Sequence, residues 1–594
     1  MDTKLVNKSQ VKGTPQIPGL TGSFVAALST RVEGFDKINE LYSQLSEYKG
    51  VDFVDKLLEH LNVSISLLPR SIENIPKEGK LLIVANHPFG GLDGMLALKI
   101  LSSVRNDVKI LTNLFVAQIP NIKDNFISVN TTYGFGRIIT NSSTGIKQAE
   151  EHLEKGGALI VFPAGEISSV TQDFRRVDDE DWQGMFARIA RRHQSNVLPL
   201  YFEGDNAWFL NFLHDIRVKL NDLKLPESSS GKTSTEIKVN IGKQILWSEI
   251  SNIKEDKVLA HYLKNRTSVL GLDFHASSPQ VPNAQPIMSP VDTNILLKEL
   301  EDNIESKLFK VGPYSAYIFD YEQIPNIIKE VGVRREEAFR AVGEGTGKEI
   351  DLDEFDIYYK HLILWDEECQ DLVGAYRLGM GRDIVEKFGV KGFYSNSFFR
   401  FSDKFAPLLK ECVELGRSFI SLKHQKDTMG LLLLLKGLFY AMMKYQEYKH
   451  FIGPVSISSW YPLFYRSAMV HYLKRSASVK ELKKMVNPIN PFIEDFGGID
   501  IETLMIPCTD NLEGFDRYLH KISGGKYRFP TLVKKYLKLG SRVIDYNVDH
   551  DFNDCLDCLI ILTLSDVPTD DIDSLCREFD DHGPIYKRFY GNKL

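Results

Sequence analysis

His87 and Asp93 are the first residues of this chain whose types and spacing could do acid–base chemistry. His87 follows an apolar run, Leu81–Ala85, and a single Asn86. The turn Pro88-Phe-Gly-Gly-Leu92 separates it from Asp93, and a helix-like run follows over 95–104. A buried strand that delivers a histidine to its carboxyl end, beside a carboxylate, supplies a general base. The carboxylate fixes the imidazole tautomer and stabilises the imidazolium. Neither serine nor cysteine sits at this turn, so the base is expected to take a proton directly from a substrate hydroxyl or amine. Two more apolar runs end in the same way, Ala158-Leu-Ile-Val-Phe-Pro-Ala-Gly-Glu166 and Asn196-Val-Leu-Pro-Leu-Tyr-Phe-Glu-Gly204. Three such strand ends could line one cleft at the carboxyl edge of a mixed sheet. An Asn-His-Pro turn by itself is most often a loop with a locally satisfied histidine.

The elements that must position these residues come from a chain of 594 residues, long enough for two to four domains. Hydrophobic residues make up 43% and charged residues 25%, the balance of a globular protein. A net charge of −7 leaves no footprint for nucleic acid. The start lacks an apolar leader, and the longest apolar stretch, 429–443, is interrupted by Lys436. A membrane span is therefore not expected, while peripheral attachment is. Ala207–Leu213 and Trp460–Tyr465 are aromatic candidates for a membrane-facing surface, with ordinary core as the alternative. The scattered cysteines form no disulfide framework. Cys555 and Cys558 have metal-pair spacing but no second pair, and no metal site is expected. Residues 276–292 have linker composition, dividing an expected domain at 1–275 from another at 293–594. Before the linker, strands and helices alternate, and the first eighty residues read as mostly helical.

After the linker, a strand pattern over 308–320 precedes a charged helix, 324–342. Glu349, Asp351, Asp353 and Asp356 cluster next, followed by paired strands at 361–366 and 372–378, the latter ending in Tyr376-Arg377-Leu378. Glu414 and Arg417 open a further strand. The loop 424–430 leads into a long apolar helix, and 451–458 reads as a strand.

Asn86-His87 with Asp93, Phe162-Pro-Ala-Gly-Glu166 and Val197-Leu-Pro-Leu200 resemble, in order and spacing, the blocks of the glycerolipid acyltransferase (PlsC-like) superfamily. That resemblance implies His87 as base and Asp93 as its orienting partner. It also implies acceptor and oxyanion contacts from Asn86, Gly90, Gly91, Phe162, Pro163, Gly165 and Glu166. The histidine–aspartate spacing is one residue longer than the common block. Ile167 stands where that family carries the arginine associated with acceptor phosphate, and it cannot make a bidentate phosphate contact. Both departures resemble the hemolysin-like, aminolipid O-acyltransferase branch.

The second half resembles the acyl-carrier-protein-dependent branch of the GNAT N-acyltransferases. The residues that carry this are Glu349 with Asp353 and Asp356, Tyr376-Arg377-Leu378, Glu414 with Arg417, Pro530–Gly540 and Asp549–Asp554. It implies substrate contacts from Asp353, Asp356, Arg377 and Arg417, and Glu414 as a first choice for the group that accepts the ammonium proton. The fold class expected is α/β, with two acyltransferase domains: an N-terminal mixed-sheet glycerolipid-acyltransferase-like domain and a C-terminal GNAT-like domain with a mixed central sheet.

Together the halves are similar to bifunctional aminolipid (ornithine- or glycine-lipid) synthases of bacteria. The second half would place a 3-hydroxyacyl chain on the amine of an amino acid, and the first would esterify the 3-hydroxyl. No cofactor is expected, only acyl carrier protein or coenzyme A as thioester donor. The carrier protein would meet a basic patch at Arg188, Arg191 and Arg192 or at Lys423 and Lys426. The other expected partners are the amino acid, the lyso-aminolipid and a membrane surface, at the inner face of a bacterial cytoplasmic membrane. The rival readings are a lysophospholipid acyltransferase of the 1-acylglycerol-3-phosphate type, a membrane-active hemolysin-like protein without catalysis, and a homoserine-lactone-type signal synthase.

Overall fold

The computed structural model describes residues 42–89, 91–113, 119–129, 131–134, 137–140, 143–164, 169–170, 177–178, 182–204, 235–275, 284–427, 429–508, 511–575 and 583–591. Two compact units emerge. The first comprises residues up to His275 together with Phe496–Arg528; the second comprises Ala276–Asp495 and Phe529 onward.

The strands of the first unit are β1 (Val63–Leu67), β2 (Leu81–Ala85), β3 (Val108–Asn113), β4 (Phe126–Val129), β5 (Thr131–Gly134), β6 (Arg137–Thr140), β7 (Ala158–Val161), β8 (Ser169–Val170), β9 (Val177–Asp178), β10 (Asn196–Phe202) and β11 (Thr235–Ile241). Seven form one sheet in the order β1-β11-β10-β2-β7-β3-β4. Neighbours run parallel except β10 and β11. β2 and β7 are unbroken apolar strands with every residue buried, as strands covered on both faces must be. β5–β6 and β8–β9 are separate two-stranded pairs. The helix after β2 runs Gly91–Ser102, four residues ahead of the run read from sequence, so Asp93 lies in its first turn. β1 interrupts the helical reading of the first eighty residues.

Phe496–Arg528 packs on the helix Asp256–Val269. Asn265 and Asp500 exchange two hydrogen bonds of 3.3 Å, each side-chain amide group to backbone. The buried Arg266 guanidinium lies beside the rings of Tyr262 and Tyr518.

The second unit holds β12 (Lys307–Val311), β13 (Tyr314–Phe319), β14 (Lys360–Asp366), β15 (Asp371–Met380), β16 (Phe399–Phe401), β17 (Cys412–Ile420), β18 (His450–Ile457), β19 (Val486–Pro488), β20 (Arg542–Asp549) and β21 (Cys555–Thr563). β16 pairs with β19. The others form an eight-stranded sheet, β12-β13-β14-β15-β17-β18-β21-β20. It is antiparallel throughout except where β17 meets β18. Those two pair only over Cys412–Glu414 and His450–Ile452, then part. Gly453 permits the close approach at the fork, since a Cβ there would sit 2.1 Å from the Leu415 carbonyl oxygen. The expected strand over 308–320 is a hairpin, β12–β13, because Gly312 takes a left-handed φ of 58°. No helix among the described residues is long and apolar enough to cross a membrane.

Candidate active sites

In the first unit the carboxyl ends of β10, β2 and β7 lie side by side, because all three run parallel in adjacent positions. Asn86 ties the first two ends together. Its side-chain amide donates to the Phe202 carbonyl at 2.9 Å, and its oxygen accepts from the Phe202 N–H at 2.8 Å. His87 follows at once, so its backbone inherits that rigidity. Its ring packs on Phe162, just past β7, with centroids 4.5 Å apart. Pro163 continues that turn, its carbonyl accepting from the Gln183 N–H at 3.1 Å.

His87 Nδ1 stands 2.9 Å from Asp93 Oδ2, and the same oxygen accepts the Phe89 N–H at 2.9 Å. Asp93 is fully buried, whereas the His87 side chain is 19% exposed. A carboxylate in the first turn of a helix faces the positive end of the helix dipole, which favours its charged form. The sequence-expected trio Asn86, His87 and Asp93 is thus brought together, with Phe162 against it. Gly91 opens the helix. Gly90, Gly165 and Glu166 lie outside the described residues, as does 207–213.

In the second unit, Arg335, Arg377 and Arg417 meet Asp351, Asp353 and Asp356. Arg335 reaches Asp351 Oδ2 at 2.9 Å and both oxygens of Asp356 at 3.1 and 3.0 Å. Arg377 donates to Asp353 at 2.5 Å and lies 3.3 Å from Asp356. Arg417 stands 3.6 Å from Asp351 and 3.7 Å from Asp353. Burial would raise the Asp356 carboxyl, but Arg335 and Arg377 outweigh it and hold Asp356 well below the usual carboxylate range. Both the Arg377 and Arg417 guanidinium groups also lie over the Tyr394 ring. Glu349 does not join this cluster; it is exposed.

Arg417 has a left-handed φ of 49°. The register between β15 and β17 slips there by one extra residue on β17, so Arg417 sits at a bulge. Such a backbone costs about 1–3 kcal/mol in a non-glycine residue and re-aims the side chain.

Glu414 is buried and already holds three donors: the Ser395 N–H at 2.7 Å, the Tyr394 N–H at 2.9 Å and the Tyr359 hydroxyl. Burial pushes its carboxyl up, against those hydrogen bonds. The arrangement is that of an anchor for the Tyr394–Ser395 turn, which places Tyr394 beneath the two arginines.

Glu344, Asp549 and Asp557 also converge, beside Arg417, on an open cleft. Sequence reasoning passed over Glu344, although its glycine-flanked place after a charged helix was a usable signal. Asp557 was not singled out; it lies between Cys555 and Cys558 on β21. Tyr461, Phe464 and Tyr465 of the second aromatic candidate are buried core. Arg188 and Arg191 pair with Asp256, Arg192 pairs with Glu150, and Lys423 pairs with Asp371.

Residues 15–273 match the family model described as Acyltransferase, and residues 334–435 match Acetyltransferase (GNAT) domain. The protein is an acyltransferase. It carries an acyltransferase domain ahead of a GNAT domain. The chain is 29% identical over 300 residues to the glycine N(alpha)-acyltransferase of Bacteroides thetaiotaomicron, covering 48% of this chain and 88% of that protein. It is 26% identical over 249 residues to the lyso-glycine lipid O-acyltransferase of Phocaeicola vulgatus, covering 41% of this chain and 86% of that protein. A crystal structure of the 1-acyl-sn-glycerophosphate acyltransferase PlsC from Thermotoga maritima matches 42% of this chain and 86% of its own at TM-score 0.26 and 16% identity.

Proposed function

We propose that this acyltransferase builds a diacylated aminolipid in two steps. The GNAT unit joins a 3-hydroxyacyl chain to the amine of an amino acid, glycine first among the candidates, and the other unit esterifies the 3-hydroxyl. The observation that carries this reading is the His87–Asp93 pair at the carboxyl edge of the first sheet, in a chain that also holds a GNAT domain. Relatives named for N-acylation of glycine and for O-acylation of a lyso-glycine lipid, each covered nearly whole, support the pairing of the two steps.

For the ester step, Nδ1 of His87 lies 2.9 Å from Asp93, and in this reading Nε2 meets the substrate hydroxyl. Nε2 takes the hydroxyl proton as the oxygen attacks the thioester carbonyl. The C–O bond forms, the C–S bond breaks, and the leaving thiolate takes the proton back from the imidazolium. Buried Asp93 stabilises that imidazolium, and general-base assistance of this kind contributes about 10²–10⁴-fold. In the GNAT unit the thioester enters where β17 and β18 part, its donor being acyl carrier protein. The enzyme works at the inner face of a bacterial cytoplasmic membrane, where both products partition.

The test is expression in a host without aminolipids, with lipid profiling by mass spectrometry. A new diacylated aminolipid is expected, collapsing to its monoacyl form in His87→Ala. Altered phospholipid acyl composition with no aminolipid would instead sink the reading.

A further inference from the structure

The cleft at the fork between β17 and β18 holds charged groups to which the two-step scheme gives no part. Its walls bring together residues far apart in sequence. Glu344 follows the helix Pro325–Arg340, Arg417 sits on the β17 bulge, Asp549 ends β20 and Asp557 lies in β21. Ser456 of β18 donates to Glu344 Oε2 at 2.7 Å. The segment carrying Glu344 is fixed on both sides: Ser458 donates to the Val342 carbonyl at 2.8 Å and Asn553 to the Gly343 carbonyl at 3.2 Å.

One buried polar atom here is unmatched: Asp557 is 6% exposed, yet its Oδ2 has no hydrogen-bond partner. Arg417 Nε makes no hydrogen bond, only a 3.6 Å ion pair with Asp351. A ligand carrying a donor for Asp557 and an acceptor for Arg417 satisfies both. The Arg417 backbone strain points the same way.

We propose that Glu344, Asp549 and Asp557 seat the ammonium group of a free α-amino acid and that Arg417, across the same cleft, takes its carboxylate, with Glu344 receiving the ammonium proton. This rests on reading the GNAT unit as an N-acyltransferase. The charge pattern selects a zwitterion. Three carboxylates repel a phosphate, and one guanidinium repels a simple cation. Among the described residues no group of three ligating side chains is arranged to hold a metal ion.

The chemistry balances. Glu344 takes a proton from the ammonium group, freeing a nitrogen lone pair. The nitrogen attacks the thioester carbonyl, the C–N bond forms, the C–S bond breaks, and the thiolate leaves with the proton the nitrogen sheds. Burial pushes the Glu344 carboxyl up to about 7, against the hydrogen bond from Ser456, and the charge of Asp549 adds to the rise. Burial also raises Asp549 and Asp557. The other titratable groups facing the cleft are Arg417, Tyr394 and Cys555. A base of this kind is protonated and idle below pH 7.

The experiment uses the full chain. Calorimetric titration with glycine, serine, ornithine, ethylamine and acetate, without acyl donor, reads the seat. N-acyl transfer to glycine from an acyl thioester is measured in parallel. Glycine is expected to bind saturably, and ethylamine and acetate at least about tenfold more weakly. Asp557→Asn should raise the glycine Kd and KM about tenfold or more with the thioester KM unchanged, which also reports that the unit is folded. Glu344→Gln should lower kcat about a hundredfold and remove the rise in rate through pH 7. The proposal is overturned if none of the three amino acids binds the wild-type chain, or if Asp549→Asn and Asp557→Asn both bind glycine as the wild type does. Binding that needs Asp557 without any acyl transfer to an amine would keep the seat and remove the N-acyltransferase reading. Transfer indifferent to Asp557 would do the reverse.

Discussion

The two candidate sites handle charge in opposite ways. At the end of β2 one buried carboxylate supports one partly exposed imidazole. In the second unit three arginines and three aspartates are packed together, with Arg335, Arg377, Asp351 and Asp356 buried and Arg417 and Asp353 partly exposed. A hydroxyl is a poor nucleophile that needs its proton removed as it attacks, so a single base on a rigid strand end is the sufficient device. An amine attacks unaided once neutral; what it needs is a place where a charged amino acid can be held and discharged. A dense, pre-compensated ion network provides fixed charge without further reorganisation.

That contrast can be broken most decisively at His87. His87→Ala is expected to lower ester formation by about 10³-fold while N-acyl transfer by the same chain is unchanged, as read in separate assays of the two steps. Loss of both would dissolve the division of labour. Asp93→Asn should cost ester formation about 10²-fold in kcat, through loss of the imidazolium's partner, with a smaller change in KM.

Removing Arg335 tests the other side. Arg335→Ala leaves Asp351 and Asp356 buried without their main cation and should destabilise the GNAT unit by about 3–5 kcal/mol in denaturant unfolding, with the ester site untouched. Gly453→Ala drives a methyl into the Leu415 carbonyl and should cost about 1–3 kcal/mol, with reduced N-acyl transfer.

The last expected effect is in pH. His361 is buried against the Asp356 carbonyl at 2.8 Å, and burial lowers it to about 4. The unfolded chain, with histidine near 6.5, binds a proton first as pH falls. The stability this residue contributes is therefore complete above pH 6.5 and is lost on descending to about 4, by roughly 3 kcal/mol at most. Urea midpoints of the GNAT unit measured at pH 7 and pH 5 check this; equal midpoints would contradict it.

Local signals carried well. β2, His87 and Asp93 were legible because strand, turn and helix are consecutive; Asp353, Asp356, Arg377 and Arg417 were singled out as substrate contacts, and that they pair with one another is visible only in the structure. What could not be read was anything made by long-range topology. Glu344 and Asp557 meet only because β21 lies next to β18, and no local period announces that. The Arg417 bulge was invisible too, since nothing in Glu414-Leu-Gly-Arg417 signals a left-handed arginine. Glu414 looked available because sequence does not show that Tyr394, Ser395 and Tyr359 already occupy its oxygens.

The return of Phe496–Arg528 to the first unit has a consequence for synthesis on the ribosome. The first unit is not complete when residue 275 emerges; it waits for a segment made more than two hundred residues later. The GNAT sheet waits longer, since β20 and β21 are translated only after that segment has gone back. Domains ordinarily fold as they are made, the N-terminal one first. Here a cut at 276–292 would yield two incomplete pieces, so the two units are made and lost as one polypeptide.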